Sequence, residues 1–420
     1  MKIKSYFLIL SFCFCRFIIA QTGTTFSGSI VNGGVTRTYT FYVPQLYDSL
    51  NVAVPLVFNI HGAGGTSAGQ ETDEDFRKIA DTANFIVVHP QGLSAPIAPG
   101  LSFKQTGWNV LGTVAAWNAD KTFIINLLEK LATEYNIDRS RVYLTGYSEG
   151  GFMGYDFACF VSGRFAAIGS VCGSLIPSHF SACAPAQPTP LMEIHGTNDP
   201  VIAYDGNGPV TTTPVDNMMN YWVTYNNCGP TPDSIVHLND IVDSCCAAHV
   251  DNSKVIHYVY GGGTNGASVE LYKVLNGGHT VPSLDTTLNS GAGAGGTTNV
   301  TNHDFDAAKE MWRFFSKYSL DSLGVAPVTG TVSAVTAINE VTENNTVSIY
   351  PNPANGTFTL QVKDVEDTAI QITNLLGEIV FEEKISNELT KINLNENKGV
   401  YLYLLKNKTG ILKSGKIIIN

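Results

Sequence analysis

The sequence has little charge and contains no basic cluster. Charged residues make up 15% of its 420 positions, and the formal net charge is −11. A protein that binds nucleic acid needs a patch of lysine and arginine to neutralise the phosphates. Because no such patch occurs in the sequence, we expect no nucleic-acid partner.

Long apolar stretches are missing beyond the N-terminus. There, Lys2 and Lys4 precede an apolar run that Arg16 interrupts and that ends at Ala20. A basic start, an apolar run and a small residue before the cut are typical of a secretory signal peptide. We therefore predict a signal peptide over residues 1–20 and no membrane span in the mature chain.

Cysteine is sparse, and the spacings typical of zinc sites are absent. No C-x-x-C pair and no H-E-x-x-H pattern occurs, so we predict no metal site. Two of the eight cysteines, Cys13 and Cys15, would leave with the signal peptide. An even number in an exported chain favours at least one disulfide, and we consider Cys228 with Cys245 or Cys246 first. The six remaining cysteines are Cys159, Cys172, Cys183, Cys228, Cys245 and Cys246.

Apolar runs alternate with segments of helical period up to about residue 318. Residues 122–135 and 302–315 place their apolar side chains on one helical face. This alternation predicts an α/β fold for residues 21–318, a mostly parallel sheet covered by helices on both faces. The apolar runs that we predict to be buried strands are 55–60, 84–90, 141–146, 165–171 and 190–196.

The composition changes after residue 318. Residues 319–346 have no steady period and few large apolar side chains, so we predict a linker there. Residues 347–420 alternate apolar and polar positions with period two between turn signals. We predict a small all-β sandwich of about seven strands, which is the second domain.

The pattern G-x-S-x-G occurs twice, around Ser67 and around Ser148. In a chain with 40 glycines, such a match arises easily by chance. Ser148 follows the strand VYLT and precedes a segment that can start a helix, and a nucleophile on a sharp turn requires this order. Ser67 has no strand directly before it. We therefore predict that Ser148 is the nucleophile and that Ser67 is a loop serine.

Acyl transfer by a serine requires a base, a residue that orients the base, and donors for the oxyanion. In the order Ser…Asp…His, Asp199 follows the strand PLMEI, and His279 follows the strand VELYKV on a Gly-Gly turn. For the oxyanion we predict the backbone N–H groups of Glu149 and of Ala63, in the loop HGAGG. The Glu149 carboxylate is expected to point away from the oxyanion. Such chemistry uses no metal and no organic cofactor.

Several blocks resemble the α/β-hydrolase esterases of the polyhydroxybutyrate depolymerase and feruloyl esterase group, which includes the acetylxylan esterases of carbohydrate esterase family one. The resemblance covers roughly residues 25–318 and implies Ser148, Asp199 and His279 as the triad. The family usually has Trp-Pro-Gly where this chain has Val281-Pro282-Ser283, so a bulky apolar wall beside the acyl site is expected to be missing. The blocks are HGAGG, YNIDRSRVYLTGYSEGGFM, FAAIGSV, HGTNDPVIAY, VELYKV with GGHT, and DAAKEMWRFF.

The tail resembles a type A sorting domain of the type IX secretion system. The blocks SIYPNPANGTFTLQV, NLLGEIV, GVYLYLL and KIIIN carry this resemblance. It implies that residues 347–420 bind the type IX machinery and that the protein is secreted or held on the cell surface. An ordinary substrate-binding sandwich is the alternative, but such modules commonly carry an aromatic platform, and this tail has few aromatic residues.

Taken together, the residues predict a secreted serine carboxylic-ester hydrolase that acts on an ester-bearing polysaccharide or polyester. Feruloyl or acetyl groups on plant cell-wall xylan are the first expectation, and a polyhydroxybutyrate-type polyester is the alternative. A peptidase is a further possibility, because one fold supports many chemistries. A catalytically inactive surface binding protein is the alternative from another class, and the three candidate triad residues argue against it.

Overall fold

The chain divides into two compact units in the computed structural model, Met1–Ala334 and Val335–Asn420. The structure describes residues 23–48, 52–96, 104–112, 114–240, 251–287 and 299–332 of the first unit. In the second unit it describes residues 347–363, 365, 367–374, 379–407 and 410–419. The predicted signal peptide, Cys245, Cys246 and residues 333–346 lie outside the described residues.

The first unit is built on a ten-stranded sheet in the order β1-β2-β4-β3-β7-β8-β9-β12-β11-β10. The six strands from β4 to β12 pair in parallel, and the pairs at both edges are antiparallel. The predicted mostly parallel sheet is therefore confirmed. The strands are β1 Thr24–Asn32, β2 Val35–Val43, β3 Val54–Ile60, β4 Ile86–Pro90, β7 Ile137–Gly146, β8 Ala167–Val171, β9 Leu191–Gly196, β10 Ser234–His237, β11 Lys254–Tyr260 and β12 Val269–Leu275, with β5 Leu93–Pro96 and β6 Lys104–Gly107 in a separate pair.

Helices cover both faces of this sheet. Successive side chains of a strand point to opposite faces, so Leu56 and Phe58 of β3 enter one apolar core and Val57 enters the other. The first core contains side chains of α3, α4 and α6, and the second contains those of α2 and α7. The helices are α1 Ser67–Asp73, α2 Arg77–Ala83, α3 Val114–Glu134, α4 Glu149–Phe160, α5 Pro177–Ala182, α6 Val215–Tyr225 and α7 Ala307–Phe315.

Two predicted boundaries differ from the structure. The helix expected over 302–315 begins only at Ala307, because the Asp306 side chain caps it by accepting from the Lys309 amide. Residues 319–332 were expected to be linker, yet they pack on the first unit. Leu320 and Leu323 are fully buried in the second core, and the Val328 amide donates to the Gly163 carbonyl. The isolated leucines in this segment therefore anchor it.

One disulfide, Cys159–Cys183, lies among the described residues and joins the end of α4 to the end of α5. The expectation of at least one disulfide is met, but the pairing differs from the one considered first. Cys228 is a free thiol in the structure, as is the buried Cys172. The sequence could not identify the pair, because the contact depends on how α4 and α5 fold back on each other.

The second unit is all β, as predicted. Its described residues form a three-stranded sheet, β13-β14-β17, and a four-stranded sheet, β16-β15-β18-β19. Alternate side chains of both sheets build one core that includes Phe358, Leu360 and Leu405. The strands are β13 Val347–Tyr350, β14 Thr357–Val362, β15 Ala369–Thr373, β16 Ile379–Lys384, β17 Leu389–Asn393, β18 Gly399–Asn407 and β19 Gly410–Ile419.

Candidate active site

Ser148 lies on a sharp turn between β7 and α4. Its backbone has φ 54° and ψ −119°, a conformation that a residue with a side chain rarely adopts. The glycines on either side make the turn possible. A Cβ on Gly146 would lie 2.5 Å from the Ile60 carbonyl oxygen, and one on Gly150 would lie 2.0 Å from it. This is the geometry that the strand, turn and helix order predicted for Ser148.

The structure brings Ser148, His279 and Asp199 together at the carboxyl ends of the parallel strands. The Nε2 atom of His279 lies 2.9 Å from Ser148 Oγ, and its Nδ1 atom lies 2.7 Å from Asp199 Oδ2. The three residues are separated by up to 131 positions in the chain. All three are buried, with at most 8% of each residue exposed. The arrangement allows a proton to pass from the serine hydroxyl to the imidazole, with the carboxylate behind it.

The loop that carries His279 is held by groups on both sides. The Tyr147 hydroxyl donates to the His279 carbonyl at 2.8 Å, and the Tyr147 ring packs on the imidazole. The Asn299 amide group donates to the same carbonyl at 3.1 Å, while its oxygen accepts from the His279 N–H. Tyr147, the residue before Ser148, therefore helps to hold the imidazole of His279 in position.

Asp199 lies in a turn after β9, and both oxygens of its carboxylate accept hydrogen bonds. Oδ1 accepts from the amides of Val201 and Ile202, each at 2.8 Å, which leaves Oδ2 for His279. Burial by itself raises the pKa of the Asp199 carboxyl. The hydrogen bond and charge of His279, together with the backbone donors, outweigh burial and bring the pKa below its usual value. The carboxylate is therefore ionised at neutral pH.

The loop HGAGG after β3 passes close to Ser148. A Cβ on Gly62 would lie 2.9 Å from the Cβ of Ser148. The Gly62 carbonyl accepts from His61 Nδ1 at 2.7 Å and from the Gly65 amide at 3.0 Å. Since the C=O and N–H of a trans peptide point in opposite directions, the Ala63 N–H is turned away from these partners. That this N–H binds the oxyanion stays a prediction.

Glu149, the other predicted backbone donor, uses its carboxylate elsewhere. Its Oε2 atom accepts from the Trp108 amide at 3.0 Å, and the Trp108 indole in turn donates to the His61 carbonyl at 2.8 Å. Burial raises the pKa of this carboxyl to about 7, although the Trp108 amide lowers it somewhat. The side chain thus links α4 to the HGAGG loop.

Ser67 lies apart from this cluster. It is the first residue of α1, where its amide donates to Gln91 Oε1 and Thr66 caps the helix. The position next to His279 Nε2 is occupied by Ser148. Ser67 is therefore the first residue of a helix, and the prediction of a loop serine at this position is wrong.

One group in the described part of the chain has the spacing of metal ligands, namely Cys172, Asp199 and His279. Two of its members already bond each other, and burial raises the pKa of the Cys172 thiol well above its usual value. The thiol lies 3.4 Å from the Thr280 carbonyl, to which it donates. These three residues therefore belong to the serine–histidine–aspartate site and its surroundings, and the Cys172 thiol is protonated.

A cavity of about 250 Å³ lies beside the segment that follows His279. Its lining includes Val281, Pro282 and Ser283 together with the acidic residues Glu74 and Asp306. Burial raises the pKa of Glu74 to about 8. Ser148, His279 and Asp199 do not line this cavity.

Comparisons with known proteins support the two-unit organisation. Residues 52–208 match the phospholipase/carboxylesterase family, and residues 348–420 match the secretion system C-terminal sorting domain. The first match includes Ser148 and Asp199 and ends before His279. Together with the sheet order, it identifies the first unit as an α/β-hydrolase fold, which confirms the predicted fold and the resemblance to esterases of that fold.

Among similar proteins is a bifunctional acetylxylan esterase/xylanase of Neocallimastix patriciarum, 30% identical over 171 residues, which are 41% of this chain and 22% of that protein. A probable feruloyl esterase C of Aspergillus niger is 30% identical over 183 residues, 42% of this chain and 58% of that one. The chain thus spans between about a fifth and three fifths of these two curated relatives. An acetyl xylan esterase from Aspergillus awamori, of known structure, has 18% identity and a TM-score of 0.43 over 61% of this chain and 95% of that one.

Sequence reasoning missed several residues that hold the site. The contacts made by Tyr147, Asn299 and Trp108 join residues that are up to 132 positions apart in the chain. No local sequence pattern could therefore reveal them. His195 was not among the predicted site residues, yet its ring lies 3.5 Å from Asp199 Oδ2. A signal for it was present, because an alternating Glu-x-His pair on a buried strand places two titratable side chains on one face.

In the part of the chain that the structure describes, no helix has the length and apolarity to cross a membrane.

Proposed function

We propose that this chain is a secreted serine carboxylic-ester hydrolase. Ser148 is the nucleophile, His279 the general base and acid, and Asp199 the residue that orients His279. The observation that carries the proposal is the continuous contact Ser148–His279–Asp199, at 2.9 and 2.7 Å, on a backbone turn strained at Ser148. Strain of this kind persists at functional sites, where it holds a group in its working position.

In the first step, His279 Nε2 takes the Ser148 hydroxyl proton as Oγ bonds to the ester carbonyl carbon. The carbonyl oxygen becomes an oxyanion, and the tetrahedral intermediate collapses when the alcohol leaves with the proton from Nε2. Water then attacks the acyl-enzyme by the same route and releases the acid. Asp199 stays ionised throughout and stabilises the imidazolium that forms twice in the cycle.

The oxyanion is bound by the N–H groups of Ala63 and Glu149. The Gly62 carbonyl is held from the opposite side by His61 and Gly65, which fixes the peptide plane that carries the Ala63 N–H. Loss of one such donor in a serine hydrolase costs about 3–4 kcal/mol of transition-state stabilisation. The Glu149 carboxylate binds the Trp108 amide and therefore does not compete for the oxyanion site.

The substrate class that we propose is a polymer-linked ester, namely feruloyl or acetyl groups on plant cell-wall xylan. Support comes from the relatives named for acetylxylan and feruloyl ester hydrolysis, together with a tail that matches a secretion sorting domain. Val281, at the position of the family tryptophan, is buried and small. We therefore expect acetyl esters to be cleaved better than feruloyl esters.

Export is the remaining part of the proposal. Residues 348–420 match a secretion sorting domain, and we propose that they address the protein to the type IX machinery after a signal peptide over residues 1–20 is removed. The linker to this domain would then begin near residue 333. The expected location is the cell surface or the medium.

The test combines labelling with a substrate panel. Purified protein should react with a fluorophosphonate probe and should hydrolyse acetylated xylan, methyl ferulate or polyhydroxybutyrate when these are assayed side by side. His279→Ala should lower kcat by about a thousandfold or more, and adding Ser148→Ala should cost little more, because the three residues act as a unit. A folded protein that neither reacts with the probe nor cleaves any of the three esters would contradict the proposal.

A further inference from the structure

Behind the serine–histidine–aspartate site lies a second buried histidine between two acceptors. His195, on β9, is 0% exposed. Its Nδ1 atom lies 2.8 Å from Glu193 Oε1, and its Nε2 atom lies 2.8 Å from the Ile202 carbonyl oxygen. The same Nε2 atom is 3.5 Å from Asp199 Oδ2, the oxygen that binds His279. Glu193, His195, Asp199, His279 and Ser148 thus form one continuous buried chain.

The hydrogen bonds define where protons must be. A backbone carbonyl only accepts, so Nε2 of His195 carries a proton and donates to Ile202. At Nδ1, the proton shared with Glu193 lies on either the ring or the carboxyl group. If it lies on the ring, the pair is an imidazolium and a carboxylate. If it lies on Glu193, both groups are neutral.

Two contacts favour the charged form. The Tyr155 hydroxyl donates to Glu193 Oε2 at 2.8 Å, which stabilises a carboxylate in a fully buried position. On the other side, the ionised carboxylate of Asp199 adds a second negative charge near the ring. Burial alone lowers the pKa of His195, but the Glu193 carboxylate and these neighbours outweigh it, so that the pKa is raised.

We propose that His195 is a permanently protonated positioning residue that holds Asp199 in place and presents a positive charge to it. The Ile202 carbonyl that His195 binds belongs to the turn whose amide groups bind Asp199 Oδ1. His195 therefore contacts this turn at two points, the Ile202 carbonyl and the Asp199 carboxylate. Because the positive end of the Glu193–His195 pair faces Asp199, it opposes the accumulation of a further positive charge on His279.

Other titratable groups also lie near the His195 ring. Lys273 lies on the neighbouring strand β12, where it pairs with His195. Its amino group is 4.4 Å from the Tyr204 ring and 3.9 Å from Asp216 Oδ2, so its charge is partly paired. Burial raises the pKa values of both Tyr155 and Cys172, which remain neutral. The titratable groups beside His195 or beside its direct partners are Glu193, Asp199, Tyr155, Cys172, Tyr204, Lys273, Asp216 and His279.

The direct test reads the ring protonation by NMR of the full chain labelled with ¹⁵N-histidine at pH 8. A matched control is His179→Gln. His179 is another buried ring between two acceptors, 2.8 Å from Asp156 Oδ1 and 3.1 Å from the Gly112 carbonyl, and it lies apart from Ser148, His279 and Asp199. We expect a doubly protonated ring that persists in His179→Gln and disappears in His195→Gln. If no doubly protonated ring remains in His179→Gln, the proposal is overturned, whether or not the His195 variant folds.

A kinetic test separates positioning from simple structural support and rests on the proposed function. In His195→Gln, kcat/KM should fall by about ten- to a hundredfold, the range seen when a residue that orients a metal ligand is removed. The acid limb of its pH profile should move to higher pH by about half a unit to one unit. Glu193→Gln, which neutralises the ring while keeping it in place, should move the acid limb less. An unmoved acid limb in a folded His195→Gln enzyme would contradict the proposal.

The two proposals fail in different ways. The NMR result depends on no activity, so a protonated His195 in a protein that ignores the fluorophosphonate probe would refute the esterase function alone. A labelled, active esterase with a neutral His195 would refute the inference alone.

Discussion

Gly150 packs directly on the end of β3, where a Cβ atom would lie 2.0 Å from the Ile60 carbonyl oxygen. The Ile60 carbonyl cannot move away from this contact, because it also accepts a hydrogen bond from the Tyr147 amide in the turn before Ser148. The corresponding glycine of the other motif, Gly69, would place its Cβ 3.1 Å from the end of the short Thr66 side chain. The two G-x-S-x-G matches therefore differ in what their second glycine contacts: backbone at Gly150 and a short side chain at Gly69.

Alanine at each glycine tests this difference. Gly150→Ala should destabilise the fold by about 3 kcal/mol, the upper range for overpacking, because the turn must move away from β3. Gly69→Ala should change stability by at most about 1 kcal/mol in either direction, since helix propensity rises while Thr66 must shift. Urea unfolding of both variants measures the two costs. Equal costs would mean that the turn at Ser148 is looser than the contact indicates.

The disulfide should contribute to stability through the loop that it closes. Cys159 and Cys183 are separated by 24 positions, and closing a loop of this size restricts the unfolded chain by about 3 kcal/mol. The double variant Cys159→Ser/Cys183→Ser should lose about that amount in chemical unfolding under oxidising conditions. Cys172→Ser is not a suitable control, because Cys172 is buried against the site. Cys228→Ser is suitable, and its stability should stay close to that of the unmodified protein.

The catalytic unit should work without the tail. Residues up to 332 pack on the first unit, with Val332 bonded to Asn126 through both its amide and its carbonyl. A chain ending after residue 334 should keep the full kcat on a small ester. A chain ending after residue 318 removes the buried Leu320 and Leu323 and should be less stable. Most activity lost in a folded 334-residue chain would assign the tail a role in catalysis.

Acid should weaken the fold through Glu270. Burial raises the pKa of this carboxyl, but hydrogen bonds from His257 and Lys317 and the charge of Arg313 outweigh burial and lower it to about 2. A lowered pKa stabilises the fold above the unfolded value, near 4.5, and that stability is lost as the pH falls toward 2. Glu270→Gln should therefore cost about 3 kcal/mol at pH 7 and progressively less below pH 4.5.

Unfolding free energies at pH 7, 5 and 4 measure that dependence. Glu310→Gln is the matched control, because Glu310 also bonds Arg313 but is partly exposed. It should cost about 1 kcal/mol or less. A Glu270→Gln cost that stays constant from pH 7 to pH 4 would show that packing, and not charge, is lost.

The fold and the principal residues of the site were accessible from local patterns. Ser148, Asp199 and His279 each follow a strand with a buried apolar segment, and parallel strands bring their carboxyl ends to one edge of the sheet. What local patterns could not reveal is where separate segments meet. The Cys159–Cys183 pair and the His195–Asp199 contact belong to this class. The segment 319–332 was misjudged because its few leucines are buried singly, without a period.

The central claim is tested most directly by two serine variants assayed on the same small ester and with the same fluorophosphonate probe. Ser148→Ala should lose labelling and lower kcat/KM by about a thousandfold or more, with an unchanged circular dichroism spectrum. Ser67→Ala should label and turn over as the unmodified protein does. An active Ser148→Ala enzyme, or a folded Ser67→Ala enzyme without activity, would contradict the assignment of Ser148 as the nucleophile.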